Sequence, residues 1–215
     1  MAKLRIPSSS TSFKLEMNRP HHSRMLDGFT MDDIEYLAGE NPSFRGYLQG
    51  YLAELALMRK LEAIEGVDLV EKIPDHDTRK GDFRIIYKGT EVTIEVKSVA
   101  TGKVKEHTLT ASWRGTVLLK SSKVRTVELG DGRTVTCSNL LRNQFDILAV
   151  SCFIVSGTWN FLFVENRLLP ESEEFPGFIS NSLNLNPEDT IGVTSDIESL
   201  FIKVLERKAS ESMLK

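Results

Sequence analysis

The sequence predicts an α/β (α+β) fold, a central mixed β-sheet flanked by helices with a basic β-element inserted. Three stretches carry this reading. Residues 42–66, "PSFRGYLQGYLAELALMRKLEAIEG", hold a long helix pattern with Pro42 at the first position and Gly66 as the stop. Residues 81–99, "GDFRIIYKGTEVTIEVKSV", alternate like a β-hairpin. Residues 145–155, "FDILAVSCFIV", form an almost wholly apolar run, the mark of a central strand buried on both faces. With 215 residues and 40% hydrophobic content, the chain can bury a sizeable core without metal or disulfide staples.

Taken in order, residues 1–29 read as an irregular arm and residues 30–215 as a single domain, its core at about 42–165. Thr30 caps a short helix that Gly39 stops, and Asn41 can cap the long one. "VDLVEKI" is a strand and "PDHDTRKG" a loop. A basic β-element spans about 101–137 and includes "GTVLLKS" and "RTVELGDGRTVT", the latter a hairpin around Asp131-Gly132. Ser138 can cap a short helix over 138–144. After the apolar run, "TWNFLFVE" is a neighbouring strand, 168–187 a long loop and "TIGV" an edge strand. An amphipathic helix at about 195–209, capped by Ser195, closes the chain.

The hairpin carries the chemistry. With Lys88-Gly89 as the turn, Tyr87 faces Thr90, Ile85 faces Val92 and Phe83 faces Ile94. Phe83, Ile85, Tyr87, Val92, Ile94 and Val96 then share the core face. The other face carries Asp82, Glu95 and Lys97, and the same count sets Asp82 opposite Glu95. Like charges directly opposed on a sheet repel, so the pair makes sense with a cation between them. Oxygen ligands and a few waters suit Mg²⁺. The competing reading is a solvated sheet face. "PDHD" offers rival acids in Asp75 and Asp77, but Asp75 precedes the strand and fails the pairing test.

Glu54 is the only charge between Arg45 and Arg59. Its neighbours at i±3 and i±4 are Gly50, Tyr51, Leu57 and Met58, none of which can pair with it. A carboxylate among apolar neighbours calls for compensation from a metal-bound water or a site lysine; the plainer reading puts it at the polar margin of the helix or on a distant arginine. Charge is unevenly spread as well. The chain is −3 overall, yet residues 100–143 hold eight basic against three acidic residues. Lys105, Arg114, Lys120, Lys123, Arg125 and Arg133 make this segment either a phosphate footprint or a solvated hairpin surface.

Glu54 on a helix, Asp82 in "GDFRII" and then Glu95 and Lys97 in "TIEVK" together resemble the PD-(D/E)xK nuclease superfamily. The pattern covers roughly residues 42–100. The resemblance implies a restriction-endonuclease-like core whose next strand is "FDILAVSCFIV". It implies Mg²⁺, with Mn²⁺ as a substitute, held by Asp82, Glu95 and the backbone carbonyl of Val96. Lys97 would position or activate the attacking water, and Glu54 would support the metal through water. Gln144 and Asp146 are accessory candidates, and the plainer reading makes them the turn that leads into the buried strand. Gly81 stands where the motif has proline. Where the family usually places a full helix, between the Glu-x-Lys strand and the next core strand, this chain has the basic β-element and only the short helix near 138–144.

The implied activity is hydrolysis of phosphodiesters in DNA, with RNA as the other candidate, by a restriction-type or other defence or mobile-element endonuclease working as a homodimer. A structure-specific or single-strand repair nuclease, or a non-catalytic binding module on the same fold, are the rivals. Two cysteines without CxxC spacing fit a reducing cytoplasm, and neither a signal peptide nor a membrane span is legible. No serine or cysteine has the surroundings of a covalent nucleophile.

Overall fold

The computed structural model describes residues 28–74, 81–100, 105–106, 113–128, 132, 134–186 and 190–213. The chain groups into two units, Met1–Leu48 and Gln49–Lys215. In the first, helix α1 (Met31–Glu40) opens on a complete capping box. The Thr30 hydroxyl takes the Asp33 amide, and the Asp33 carboxylate takes the Thr30 amide at 2.7 Å. Asn41 closes α1 with its side chain on the Leu37 carbonyl, while its own carbonyl accepts the Arg45 amide at 2.9 Å at the start of the helix that follows. Helix α2 (Pro42–Glu62) begins at Pro42 as expected and ends before Gly66.

The second unit is built on a five-stranded mixed sheet, in the order β1 (Val67–Lys72), β2 (Phe83–Tyr87), β3 (Thr90–Ser98), β8 (Ile147–Ser151), β9 (Phe161–Glu165). The β2–β3 hairpin has the register counted from the sequence, with Tyr87, Ile85 and Phe83 opposite Thr90, Val92 and Ile94. Lys88 and Gly89 both have positive φ, as a tight two-residue turn requires. Strand β3 runs parallel to β8, with Glu95 beside Leu148 and Lys97 beside Val150.

Every residue of β8 is buried, because the sheet is covered on both faces. On one side Ala53, Leu57 and Leu61 of α2, with Leu200, Phe201 and Val204 of the closing helix α4 (Ile197–Met213), pack on Phe83, Ile85, Val92 and Ile94. On the other, Leu148, Val150 and Val164 meet Val117, Leu183 and Leu185. Those last three belong to a small sheet of β10 (Ser182–Leu185), β5 (Trp113–Leu118) and β4 (Lys105–Glu106). Strands β6 (Lys120–Glu128) and β7 (Thr134–Asn139) form a separate antiparallel hairpin, so the basic segment is a β-element as expected.

Five local expectations are corrected. Ser138 lies in β7, and 141–144 is a turn, with Asn143 at φ 60° and Gln144 accepting the Leu141 amide. The apolar run yields a five-residue strand and then a short helix, α3 (Phe153–Ser156), which Gly157 ends in the left-handed region. The expected long loop contains β10, paired to β5. "TIGV" forms a turn, and the residue that pairs with Phe163 is Thr194. Helix α4 is capped by the Asp196 carboxylate on the Ser199 amide, and Ser195 has no part in it.

Asp146 lies just ahead of β8 and fastens the far end of the sheet. Its Oδ2 accepts the Thr93 amide at 2.9 Å and the Lys208 ammonium at 2.7 Å, and its Oδ1 takes Arg207 at 2.9 Å. Arg207 also holds the buried Glu165 of β9, so one network ties α4 to three strands. Replacing Asp146 by Ala takes the shared carboxylate away from two cations and is expected to cost about 3 kcal/mol. Urea unfolding measures it, and a destabilisation no larger than that of an exposed control substitution contradicts the fastening role.

Candidate active site

Asp82, Glu95 and Lys97 come together in the structure, with one departure from the expected pairing. The ladder stops at Phe83 opposite Ile94. Gly81 has φ 85°, and a side chain there would have its Cβ 2.9 Å from the Ile94 carbonyl oxygen. Both features exclude the motif's proline, whose φ is fixed negative. The chain therefore turns into β2 so that the Asp82 amide donates to the Ile94 carbonyl at 2.8 Å. The Asp82 Oδ2 then accepts the Val96 amide at 2.6 Å. Asp82 straddles Glu95, bonded to the residues on either side of it.

The electrostatics follow from burial. Glu95 is buried on the β3 face opposite the helices, and Lys97 Nζ donates to its Oε1 at 2.5 Å. Burial, then the Glu95 carboxylate, push Asp82 from its ordinary 3.8 up to about 7, against the pull of Lys97 and the Val96 amide. Burial alone would lower Lys97; the charges of Glu95, Asp82 and Glu54 outweigh it and raise the ammonium above its ordinary value. Lys97 therefore stays protonated at neutral pH.

Glu54 does reach this neighbourhood electrostatically, since it adds to the shifts of both Asp82 and Lys97. Its compensation comes from a residue that no sequence pattern singles out. Glu54 Oε2 is shut off from solvent and forms an ion pair with Lys72 Nζ, the last residue of β1. The Lys72 ammonium also lies over the Tyr51 ring, 4.9 Å from its centroid. Only the sheet order could reveal this partner, because β1 joins β2 as a neighbour and sets Lys72 beside Phe83.

For Val96 the contact seen is through its amide, not its carbonyl. Gln144 and Asp146 belong to the turn and the fastening network described above, as the plainer reading has them, and not to this cluster. Arg114 and Lys120 are exposed. The side chains of Lys105, Lys123 and Arg125 lie outside the described residues. So do the whole of Arg133, Asp75, Asp77, Asp131 and the arm up to residue 27.

Among the described residues, no three His, Cys, Asp or Glu side chains converge as a metal-binding group. The donors that are present still fit Mg²⁺ in kind and in charge. Two carboxylates suffice for an ion that keeps several waters and takes further oxygens from a phosphate. Burial first, and then the neighbouring Glu95 carboxylate, disfavour the ionised form of Asp82, and a bound cation would favour it.

No family model matches the chain, and no curated protein matches it. Among solved structures, that of a bacterial homing endonuclease is similar at a TM-score of 0.41 and 16% identity, covering 77% of this chain and 97% of that one. A likeness this loose carries no functional inference. Among the described residues, no helix is long and apolar enough to cross a membrane.

The raised Asp82 has a consequence for stability. A folded pKa of about 7 against 3.8 unfolded means the protonated form is favoured by folding. That contribution is complete below about pH 3.8 and is lost as pH rises through about 7. Asp82→Asn, which keeps an acceptor for the Val96 amide, is expected to melt higher than wild type at pH 8 in EDTA, with the gain shrinking toward pH 5. In a chain of this size each kcal/mol is worth roughly 2–4 °C. A pH-independent difference in melting temperature would refute the assignment.

Proposed function

We propose that the protein is a Mg²⁺-dependent endonuclease that hydrolyses phosphodiester bonds of DNA, a member in chemistry of the PD-(D/E)xK superfamily. One observation carries the reading. The half-buried Asp82 carboxylate lies beside the buried Glu95 carboxylate of β3, whose charge is felt at Asp82, and the Lys97 ammonium donates to Glu95. A sheet built only for stability gains nothing from such a pair.

Asp82 and Glu95 would hold the ion, which when bound supplies Lewis-acid polarisation of the phosphate and a more acidic water. The chain's own residues do the rest. The Val96 amide and the Ile94 carbonyl hold Asp82 in place, so its carboxylate keeps one orientation. Glu95 holds the Lys97 ammonium at the site. Lys97, being protonated, acts as a hydrogen-bond donor that orients the attacking water and stabilises charge developing on the phosphate, not as a base. The exposed Lys120 and Arg114, with Lys105, Lys123, Arg125 and Arg133, supply a basic β-element for the sugar–phosphate backbone.

The compact chain fits a restriction-type or other defence or mobile-element nuclease that cuts both strands as a homodimer. Discrete ends among sequenced plasmid products would mark a restriction-type enzyme and scattered ends a general one. The second reading is a binding module that does not cut.

Supercoiled plasmid separates these. Wild type is expected to cut with Mg²⁺ or Mn²⁺ and not in EDTA. Asp82→Ala, Glu95→Gln and Lys97→Met are each expected to lower the rate by about 100-fold or more. Undiminished cutting by Asp82→Ala rules out this site, and binding without cutting favours the module. Replacing Lys120, Lys123 and Arg125 together by Ala is expected to flatten the salt dependence of duplex binding by roughly 0.9 for each phosphate no longer neutralised. An unchanged slope places the backbone contacts elsewhere.

A further inference from the structure

Lys72 belongs to neither the hairpin pattern nor the helix pattern, yet the fold delivers it to the acidic cluster. The amide of Ile73, the next residue, donates to the Asp82 carbonyl at 2.8 Å, so the backbone that carries Lys72 is bonded to the backbone of Asp82. Its ammonium pairs with Glu54, whose side chain is only 16% exposed. Its ammonium lies over the Tyr51 ring.

We propose that Lys72 is a substrate-contacting residue, whose ammonium leaves Glu54 for a phosphate oxygen of the bound nucleic acid. The proposal rests on the nuclease reading above and extends it to a residue on a different strand. Three features support it. The Lys72 side chain is 39% exposed against 21% for Lys97, so of the two lysines Lys72 has the more solvent-accessible side chain. Lys97 is held on Glu95 at 2.5 Å and lies within the field of Asp82 as well, which commits it to the inner part of the site. And a partly buried Glu–Lys pair is a poor device for stability alone, because desolvating the carboxylate offsets most of the attraction.

A lysine ammonium is a point charge with three donors, suited to a phosphate that arrives in varied orientations. Exchanging a carboxylate for a phosphate keeps it charge-compensated throughout, while Tyr51 limits where it can swing. Glu54 then acts as a positioning residue that stores the ammonium beside the reacting bond.

The test is duplex binding across a salt series, with Ca²⁺ held constant, for wild type, Lys72→Met, Lys72→Arg and Glu54→Gln. Lys72→Met is expected to lower the slope of log affinity on log salt by about one, the share of a single phosphate. Lys72→Arg is expected to retain it. Glu54→Gln, which takes the competing carboxylate charge away from the ammonium, is expected to bind more tightly than wild type. A wild-type slope in Lys72→Met, or wild-type affinity in Glu54→Gln, overturns the proposal even where wild type binds and cuts. If Lys72→Met does not fold, Glu54→Gln decides alone. Wild type that neither binds duplex nor cuts plasmid overturns the nuclease reading itself.

Discussion

The bond from the Val96 amide to the Asp82 carboxylate, 2.6 Å long, sets the terms for everything around it. It draws a charged side chain into the sheet beside a strand that already buries Glu95. Two carboxylates in so dry a place are costly to ionise together. The chain answers with ammonium groups, Lys97 on Glu95 and Lys72 on Glu54, while burial and the Glu95 charge still hold Asp82 well above its ordinary value. On the function proposed above, a cation from outside would complete this charge arrangement.

Holding those charges in register requires a rigid strand. Strand β3 is paired on both edges, antiparallel to β2 and parallel to β8, and its sheet is packed on both faces. The Asp146 network with Thr93, Arg207, Lys208 and Glu165 clamps its leading end to the closing helix. One end of β3 is therefore committed to structure and the other carries the coupled charges. Alternation along the strand makes this division possible, since successive side chains point to opposite faces of the sheet.

Much of this was legible in the residues. The Lys88-Gly89 turn fixes the register of β2 against β3, because a two-residue turn admits one pairing and the apolar set must stay on one face. The isolation of Glu54 correctly announces a partner from elsewhere in the chain. The departures share a cause. Extending the ladder sets Asp82 opposite Glu95, but Gly81 at positive φ bends the chain there and redirects the hydrogen bonding to Ile94 and Val96. Ser138 has the chemistry of a helix cap and "TIGV" the composition of a strand, yet short segments obey their tertiary partners over their own propensity. Strand β10 hides within a loop because its partner β5 lies far away in sequence.

The sequence by itself determined the hairpin, the core faces of its strands and the apolar central strand, and it singled out Asp82, Glu95, Lys97 and Glu54. These are periodicity and spacing effects, and a chain carries them locally. Tertiary structure alone decided that Asp82 bonds to Val96 and not across from Glu95, that Lys72 neutralises Glu54, and that Asp146 fastens the sheet's far end. Each of those depends on which strands become neighbours and on how deeply water is excluded between them. Both are properties of the packed sheet, and no local pattern encodes them.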